Sequence, residues 1–316
     1  TGVGGYFLPL WVRCPWTPRL LVCGGCGEGR GVARYCSEDC QRAHWPEHQK
    51  TCPAALLAAR RGEEFGGHIS VEAMAEAAGD AGWCIHLGAT SNDIVDTAVG
   101  LQIKDSVDIH RQILSTLIGT LADLAERERD TVMLGRTHGQ AAVPITFGLK
   151  IAVFLDEFRR HLVRLDELRQ RVCVGKFLGA VGTGAAQGER ALELQELVLG
   201  NLVLEVPVAT TQVVGRDRYI DWVSWMANVA TSIEKVLQEV RNLQRTEIGE
   251  VSEAFDIEKQ VGSSTMAHKK NPITAENACG LARIVRSMIV PSYENALLWH
   301  ERDLATSSSE RFTLSH

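Results

Sequence analysis

Apolar residues recur every three or four positions along most of the chain beyond residue 67. This spacing is typical of amphipathic helices, which bury one face. The stretches 94–124 and 147–172 share it, and no stretch alternates convincingly as a strand would. The clearest repeat is Ile220, Val223, Ala227, Ala230, Ile233, Leu237 and Val240. We therefore predict an all-α fold, a long-helix bundle over residues 67–316 with more apolar surface than one chain need bury.

Four polar segments interrupt this helical pattern. Taken alone, the first would cap a helix through Ser91 or Asn92, and the others would be solvated loops or helix ends. Asp217 is a helix start, and Pro291 should kink the last long helix. Polar loops between long helices are also where scaffolds carry chemistry. The segments are His86-Leu87-Gly88-Ala89-Thr90-Ser91-Asn92-Asp93, Gly135-Arg136-Thr137-His138-Gly139-Gln140, residues 262–272, and Trp299-His300-Glu301-Arg302-Asp303 with residues 307–311.

Composition narrows the class of protein. The chain has 316 residues, of which 45% are hydrophobic and 23% charged, and its formal net charge is −6. It is long enough for two domains with a sizeable core. The negative charge argues against nucleic acid and anionic membrane as partners. No apolar run approaches the roughly 20 residues of a membrane span, so we expect an intracellular, cytoplasmic protein.

Cysteines are concentrated at the start of the chain. Six of the nine lie between Cys14 and Cys52, whereas Cys84, Cys173 and Cys279 are scattered singly and are expected to be buried. Ligand pairs at short spacing can reach one tetrahedral ion, and here they favour zinc over disulfides. The pairs are Cys23-x-x-Cys26, Cys36-x-x-x-Cys40 and His48-x-x-x-Cys52.

With Tyr35, Gln41 and His44-Trp45 added, residues 1–58 resemble the MYND zinc finger, with 59–66 as a linker. The resemblance implies two interleaved zinc ions. One complete site would use Cys23, Cys26, His48 and Cys52. The other would use Cys14, Cys36 and Cys40, because Trp11 stands where a fourth ligand is expected; His44 is the nearest spare imidazole but is favoured as a packing residue. MYND modules bind proline-containing peptides, so a peptide partner is implied.

The segment Gly262-Ser263-x-x-Met266-x-x-Lys269-x-Asn271 resembles the signature of the fumarase/aspartase superfamily of β-elimination lyases. Ala267 and Lys270 depart from the usual proline and arginine. The other polar segments, with the run at 241–247, resemble the adenylosuccinate lyase branch over about residues 82–316. The resemblance implies a nucleotide substrate, no metal in the lyase site, and a homotetramer whose sites each draw on three subunits.

The same resemblance assigns roles to individual residues. Ser263 would be the base, helped by Lys269, and His138 the acid, with Glu276 as its carboxylate partner. His86 would be a second active-site histidine. The expected substrate-binding residues are Thr90, Ser91, Thr137, Gln212, Ser264, Asn271, Arg302, Ser307 and Arg311.

Two features of the chain leave other functions open. The zinc module occupies most of the place of the family's first helical domain, and the chain ends before its third, so we expect a fusion, a fragment or a faulty gene model. One alternative is a non-catalytic interaction protein that uses the finger and keeps the lyase segment as an oligomerisation scaffold. The other is a carboxymuconate cycloisomerase-like enzyme.

Overall fold

The computed structural model of the chain describes residues 78–84, 86–254, 266 and 269–314. The predicted zinc module, the linker, Ser263 and Ser264 lie outside these residues. The helices and strands are α1 (Ser91–Arg127), β1 (Val132–Thr137), β2 (Gln140–Thr146), α2 (Phe147–Val172), α3 (Ala191–Asn201), α4 (Asp217–Leu243), α5 (Ile273–Ser287), α6 (Ile289–Glu294) and α7 (Ala305–Thr313), with 3-10 turns at Gly79–Cys84 and Ala185–Arg190. The predicted long-helix fold is confirmed.

Sequence signals located some of the helix ends, although α4, α5, α6 and α7 begin without a side-chain cap. Helix α4 begins at Asp217 as predicted, and the kink expected near Pro291 is a break at Met288, between α5 and α6. Proline is tolerated there because it lies in the first turn of α6, where its missing N–H is not needed. The cap of α1 lies one residue earlier than expected. Ser91 is already helical, and the N–H of Thr90 donates to Asp93 Oδ2 at 2.7 Å.

A short antiparallel hairpin, β1–β2, was not predicted from the sequence. The expectation that no stretch forms a strand is therefore wrong at this position. The ribbon has a register shift between Leu134 and Arg136, and β2 is exposed over most of its length. Neither strand shows the regular burial of alternate residues that a sequence pattern would reveal.

The chain divides into two compact units, each described separately: Thr1–Val95 with Phe177–Glu196, and Asp96–Lys176 with Leu197–His316. In the described part of the first unit, Asp93 is the organising residue. Its buried carboxylate accepts hydrogen bonds from the backbone N–H groups of Leu178 and Gly179, each at 3.1 Å, as well as from Thr90. These bonds join the start of α1 to the segment after α2.

The second unit contains the main hydrophobic core. Helix α4 packs against α2, α5 and α6, and its Trp222 and Trp225 stack on each other beside the ring of His110. The predicted repeat is buried at Val223, Ala227 and Ala230 but is partly exposed at Ile233. Cys173 and Cys279 are buried as expected, whereas Cys84 in the first unit is exposed. Among the described residues, no helix is both long and apolar enough to cross a membrane.

A polar chain runs through the interface of α2 and α4. His161 is buried, and its Nε2 lies 2.7 Å from Ser232 Oγ, whose hydroxyl donates to Glu157. Arg164 lies 3.4 Å from Nδ1 of the same ring and has only donors to offer. His161 must therefore be neutral, with its hydrogen on Nε2. Burial lowers the pKa of His161 below its ordinary value of 6.5, and Arg164 lowers it further.

This arrangement predicts a pH-dependent stability. Because the unfolded chain protonates His161 at a higher pH than the folded chain does, the free energy of unfolding should fall as the pH drops below about 6.5. Arg160 adds to the lowered pKa, Glu157 opposes it, and Lys235 neutralises Glu157. In urea unfolding between about pH 7 and 5, His161→Gln should show a shallower loss than the unaltered chain. Equal slopes would contradict the assignment.

Candidate active site

His138 lies at the tip of the β1–β2 hairpin. Thr137 pairs with Gln140, which leaves His138 and Gly139 as a two-residue turn. Both have positive φ, 54° and 74°, as a type I′ turn requires. The His138-Gly139 pair was the available sequence signal for this hairpin. The imidazole is exposed at the end of a defined turn.

An ion pair holds the hairpin close to its turn. Arg136 in β1 donates from Nη2 to Glu250 Oε1 at 2.5 Å and from Nη1 to Glu250 Oε2 at 2.9 Å. The hydrogen bonds from Arg136 hold the pKa of Glu250 below its ordinary value. Glu250 follows α4 and was not singled out from the sequence.

The described end of the signature segment leads directly into α5. Lys269 is exposed, Asn271 is half-buried, and Glu276 lies exposed in the first turn of α5. Glu253 accepts hydrogen bonds from the N–H groups of Thr274 and Ala275, at 3.2 and 2.7 Å. A carboxylate at this position satisfies two donors that no helical carbonyl can reach.

Two predicted substrate-binding residues are brought together near residue 301. Arg302 Nη1 donates to Gln212 Oε1 at 3.1 Å, and the backbone N–H of Gln212 donates to the carbonyl of Glu301. Asp303 closes the turn by accepting from the N–H groups of Trp299 and Ala305, and these bonds lower its pKa. The guanidinium is thereby oriented by a side-chain amide, as an anion-binding group needs to be.

A buried ion-pair network positions α7, which carries half-buried Ser307 and exposed Arg311. Arg216 Nη1 lies 2.7 Å from Asp96 Oδ2, and Arg216 Nε lies 2.6 Å from Glu310 Oε1. Asp96 also accepts from the N–H of Val214 at 2.7 Å. Burial raises the pKa of Glu310, and Arg216 opposes that shift. The guanidinium of Arg216 thus joins three segments: α1, the residues just before α4, and α7.

The first unit carries the other predicted site residues. His86 is exposed with φ of 66°, and Thr90 and Ser91 lie at the start of α1. His86, His138 and His300 all have left-handed backbone, which is uncommon outside glycine. His300 comes directly before Glu301 and Arg302, which contact Gln212, and it was not assigned a role from the sequence.

The expected pairing of His138 with Glu276 stays a prediction. Within one chain, no hydrogen bond joins these two described side chains. The structure also contains no group of three or more His, Cys, Asp or Glu side chains placed to hold a metal ion among the described residues. The second unit thus presents an exposed histidine, an exposed lysine and oriented amide and guanidinium groups. These can move a proton and bind carboxylate or phosphate.

Comparisons with known proteins match two segments of this chain. A family profile described as Lyase matches residues 60–287, and a second, the MYND finger, matches residues 13–52. The adenylosuccinate lyase of Methanothermobacter thermautotrophicus is 54% identical over 245 residues, which cover 77% of this chain and 55% of that protein. The adenylosuccinate lyase of Pyrococcus abyssi is 52% identical over 244 residues, 77% of this chain and 54% of that protein. The chain spans about half the length of these relatives.

Solved structures give the same fold. A fumarate lyase from Mesorhizobium sp. superposes with a TM-score of 0.71 at 34% identity, covering 87% of this chain and 60% of that one. A 3-carboxy-cis,cis-muconate lactonizing enzyme from Pseudomonas putida superposes with a TM-score of 0.71 at 35% identity, covering 83% and 58%. The predicted resemblance to this lyase superfamily and to the MYND finger is confirmed.

The buried network at Arg216 predicts unequal effects of two matched substitutions. Asp96→Asn leaves the buried guanidinium under-compensated and should lower the free energy of unfolding by roughly 3–5 kcal/mol. Asp166→Asn removes the partner of Arg111 in a solvent-exposed pair and should change the free energy of unfolding far less. Urea unfolding of both variants measures the difference, and equal costs would show that the buried network is not what holds these segments.

Proposed function

The chain belongs to the Lyase family, and from that membership we propose that it is an adenylosuccinate lyase, which releases fumarate from adenylosuccinate and leaves AMP. The observation that carries the proposal is the 45–54% identity to adenylosuccinate lyases over about three quarters of the chain. The proposal extends to the succinyl-aminoimidazole carboxamide ribotide, which presents the same C–N bond to be cleaved. Purine biosynthesis is the metabolic setting that follows.

The proposed reaction is a β-elimination. Ser263, as its alkoxide, takes the proton from the carbon next to a carboxylate, and Lys269 stabilises the oxyanion. The electron pair forms the double bond of fumarate as the C–N bond breaks. His138 gives its proton to the leaving nitrogen. The exposed position of His138 on a defined turn supports its role as an acid.

The remaining residues bind the substrate in this proposal. Arg302, oriented by Gln212, and Arg311 on α7 suit phosphate or carboxylate groups. Asn271 beside Lys269 suits the fumaryl portion, and Thr137 lies one residue from the acid. The others, assigned by resemblance, are Thr90, Ser91, Ser264 and Ser307, and His86 is a second active-site histidine. No metal takes part in the proposed lyase chemistry.

Assembly of several chains completes the proposed enzyme. Large apolar side chains are exposed on the second unit's helices, including Ile113 on α1, Val163 on α2 and Leu281 on α5. Such faces are buried in obligate oligomers. A homotetramer would cover them and would let Glu276 of one subunit approach His138 of another. A cytoplasmic location is part of the proposal, because zinc-binding thiolates persist in reducing compartments.

The zinc module is proposed to recruit a protein partner. Thiolate and imidazole donors suit zinc, and Cys23, Cys26, His48 and Cys52 supply a complete set. Cys14, Cys36 and Cys40 supply three donors for a second ion. When bound, zinc contributes folding free energy to a module too small to fold alone. The partner is a proline-containing peptide.

Turnover of adenylosuccinate by the purified full chain tests the enzymatic proposal. Loss of substrate absorbance should be measurable, and Ser263→Ala should abolish it because no base remains. His138→Ala should lower kcat by about 10²–10⁴-fold. Ser115→Ala, on the exposed face of α1, is the matched control and should behave as the unaltered chain.

Two other outcomes identify the rival functions. Turnover of 3-carboxy-cis,cis-muconate but not of adenylosuccinate would favour the cycloisomerase that the solved structures also suggest. A folded oligomer that turns over neither substrate would favour the interaction scaffold. Near-normal turnover by Ser263→Ala or His138→Ala would exclude the role assigned to that residue.

The zinc proposal predicts unequal losses from the two ligand sets. Cys23→Ser should remove the tightly held ion, whereas Cys36→Ser should remove only the weaker one, because its set has three donors. Metal content of the dialysed full chain, measured by mass spectrometry, checks both variants. Cys84→Ser, outside the module, is the control and should retain the full zinc content. A chain that purifies without zinc would contradict the prediction.

A further inference from the structure

Residues 250–253, which follow α4 in the chain, connect the β1–β2 hairpin to the start of α5. Both of these elements carry proposed lyase chemistry, and we name residues 250–253 the tie segment. At its start, the backbone N–H of Glu250 donates to the carbonyl of Leu243 at 3.0 Å. Leu243 is the last residue of α4 and is buried in the core. The tie segment therefore begins at a fixed point on the central helix.

On one side, the tie segment holds the hairpin. The carboxylate of Glu250 receives both guanidinium hydrogen bonds from Arg136, which lies two residues before His138. Arg136 also donates to the carbonyl of Leu134 within its own strand. A bidentate pair of this kind fixes orientation as well as distance. Both side chains are about one quarter exposed, so the pair is partly shielded from solvent.

On the other side, the tie segment holds the start of α5. Glu253 accepts from the N–H groups of Thr274 and Ala275, which lie three and four residues after Asn271 and directly before Glu276. Gln244 completes the arrangement with both ends of its amide. Its Oε1 accepts from the N–H of Glu253 at 3.0 Å, and its Nε2 donates to the carbonyl of Lys270 at 3.3 Å.

We propose that Glu250, Glu253 and Gln244 are positioning residues of the lyase site, which hold the acid-bearing hairpin and the Lys269–Asn271 end of the signature segment in a fixed relation to α4. The inference rests on the proposed function. None of the three residues needs to touch substrate. Their effect comes through placement, and a displacement of about 1 Å at a reacting group can cost about 10²-fold in rate.

Three glutamate-to-glutamine variants of the full chain test the proposal. Glu250→Gln replaces a bidentate acceptor by a single one and should lower kcat by about tenfold or more while leaving KM nearly unchanged. Glu253→Gln should raise KM as well, because it releases the segment with Asn271. Glu247→Gln is the matched control, since its pair with Arg245 spans 3.5 Å and is largely exposed; it should match the unaltered chain.

A double-mutant cycle separates positioning from general destabilisation. If Arg136 and Glu250 act only through each other, Arg136→Gln combined with Glu250→Gln should lower kcat no further than either change alone. Additive losses would overturn the coupling. Should Glu250→Gln fail to fold, Glu250→Asp keeps the charge on a shorter side chain and should give an intermediate kcat. Full activity in Glu250→Asp and Glu253→Gln would overturn the proposal.

Hydrogen exchange gives a readout that does not depend on turnover. Amides of β1–β2 should exchange faster in Glu250→Gln, and those of Thr274 and Ala275 should exchange faster in Glu253→Gln, each compared with Glu247→Gln. If the unaltered chain lacks lyase activity, the proposed function fails, and exchange still decides whether the tie segment holds these elements. Exchange equal to the control in both variants would overturn the tie segment itself.

Discussion

A buried guanidinium must be neutralised where it lies, and Arg216 shows how much structure follows from that requirement. Its two carboxylate partners come from residues 96 and 310, more than a hundred residues to one side and about ninety to the other. The pairings hold together the start of α4, the second turn of α1 and the helix that carries Ser307 and Arg311. Polar groups can therefore lie at the start of α4 without disturbing the packing of the hydrophobic core around that helix.

The same logic recurs near the other end of α4, with weaker and more exposed groups. Hydrogen bonds from this region reach strand β1, helix α5 and the loop at Lys270. They are made by Glu250, Glu253 and Gln244. None of them is a reactant in the proposed mechanism. Glu253 and Gln244 satisfy backbone groups that secondary structure leaves unpaired, and Glu250 pairs with the guanidinium of Arg136. In the proposed enzyme, the acid and the residues near Asn271 would be held in place by these polar residues.

The sequence predicted the helices whose apolar residues recur every three or four positions, and the family that the long motifs indicate. Helices α1, α2 and α4 follow from apolar spacing. Asp217 is the first residue of α4 as predicted, although no side chain caps that helix. The hairpin was not predicted, because a two-stranded ribbon with a register shift has no alternation to detect. The partners Glu250, Glu253 and Asp96 were also missed, since a charged residue near a helix end looks the same in sequence whether it faces water or a guanidinium. Only the fold tells these cases apart.

The left-handed backbone at His138 limits which replacements can be interpreted. Asparagine, aspartate and glycine adopt positive φ at little cost, whereas a β-branched residue would distort the turn itself. If every amino acid were tested at this position, activity would depend first on whether the residue tolerates a positive φ. Its ability to transfer a proton would matter only among the residues that do. For protein engineers, the informative comparison is between asparagine and aspartate, which share a shape and differ in their capacity to carry a proton.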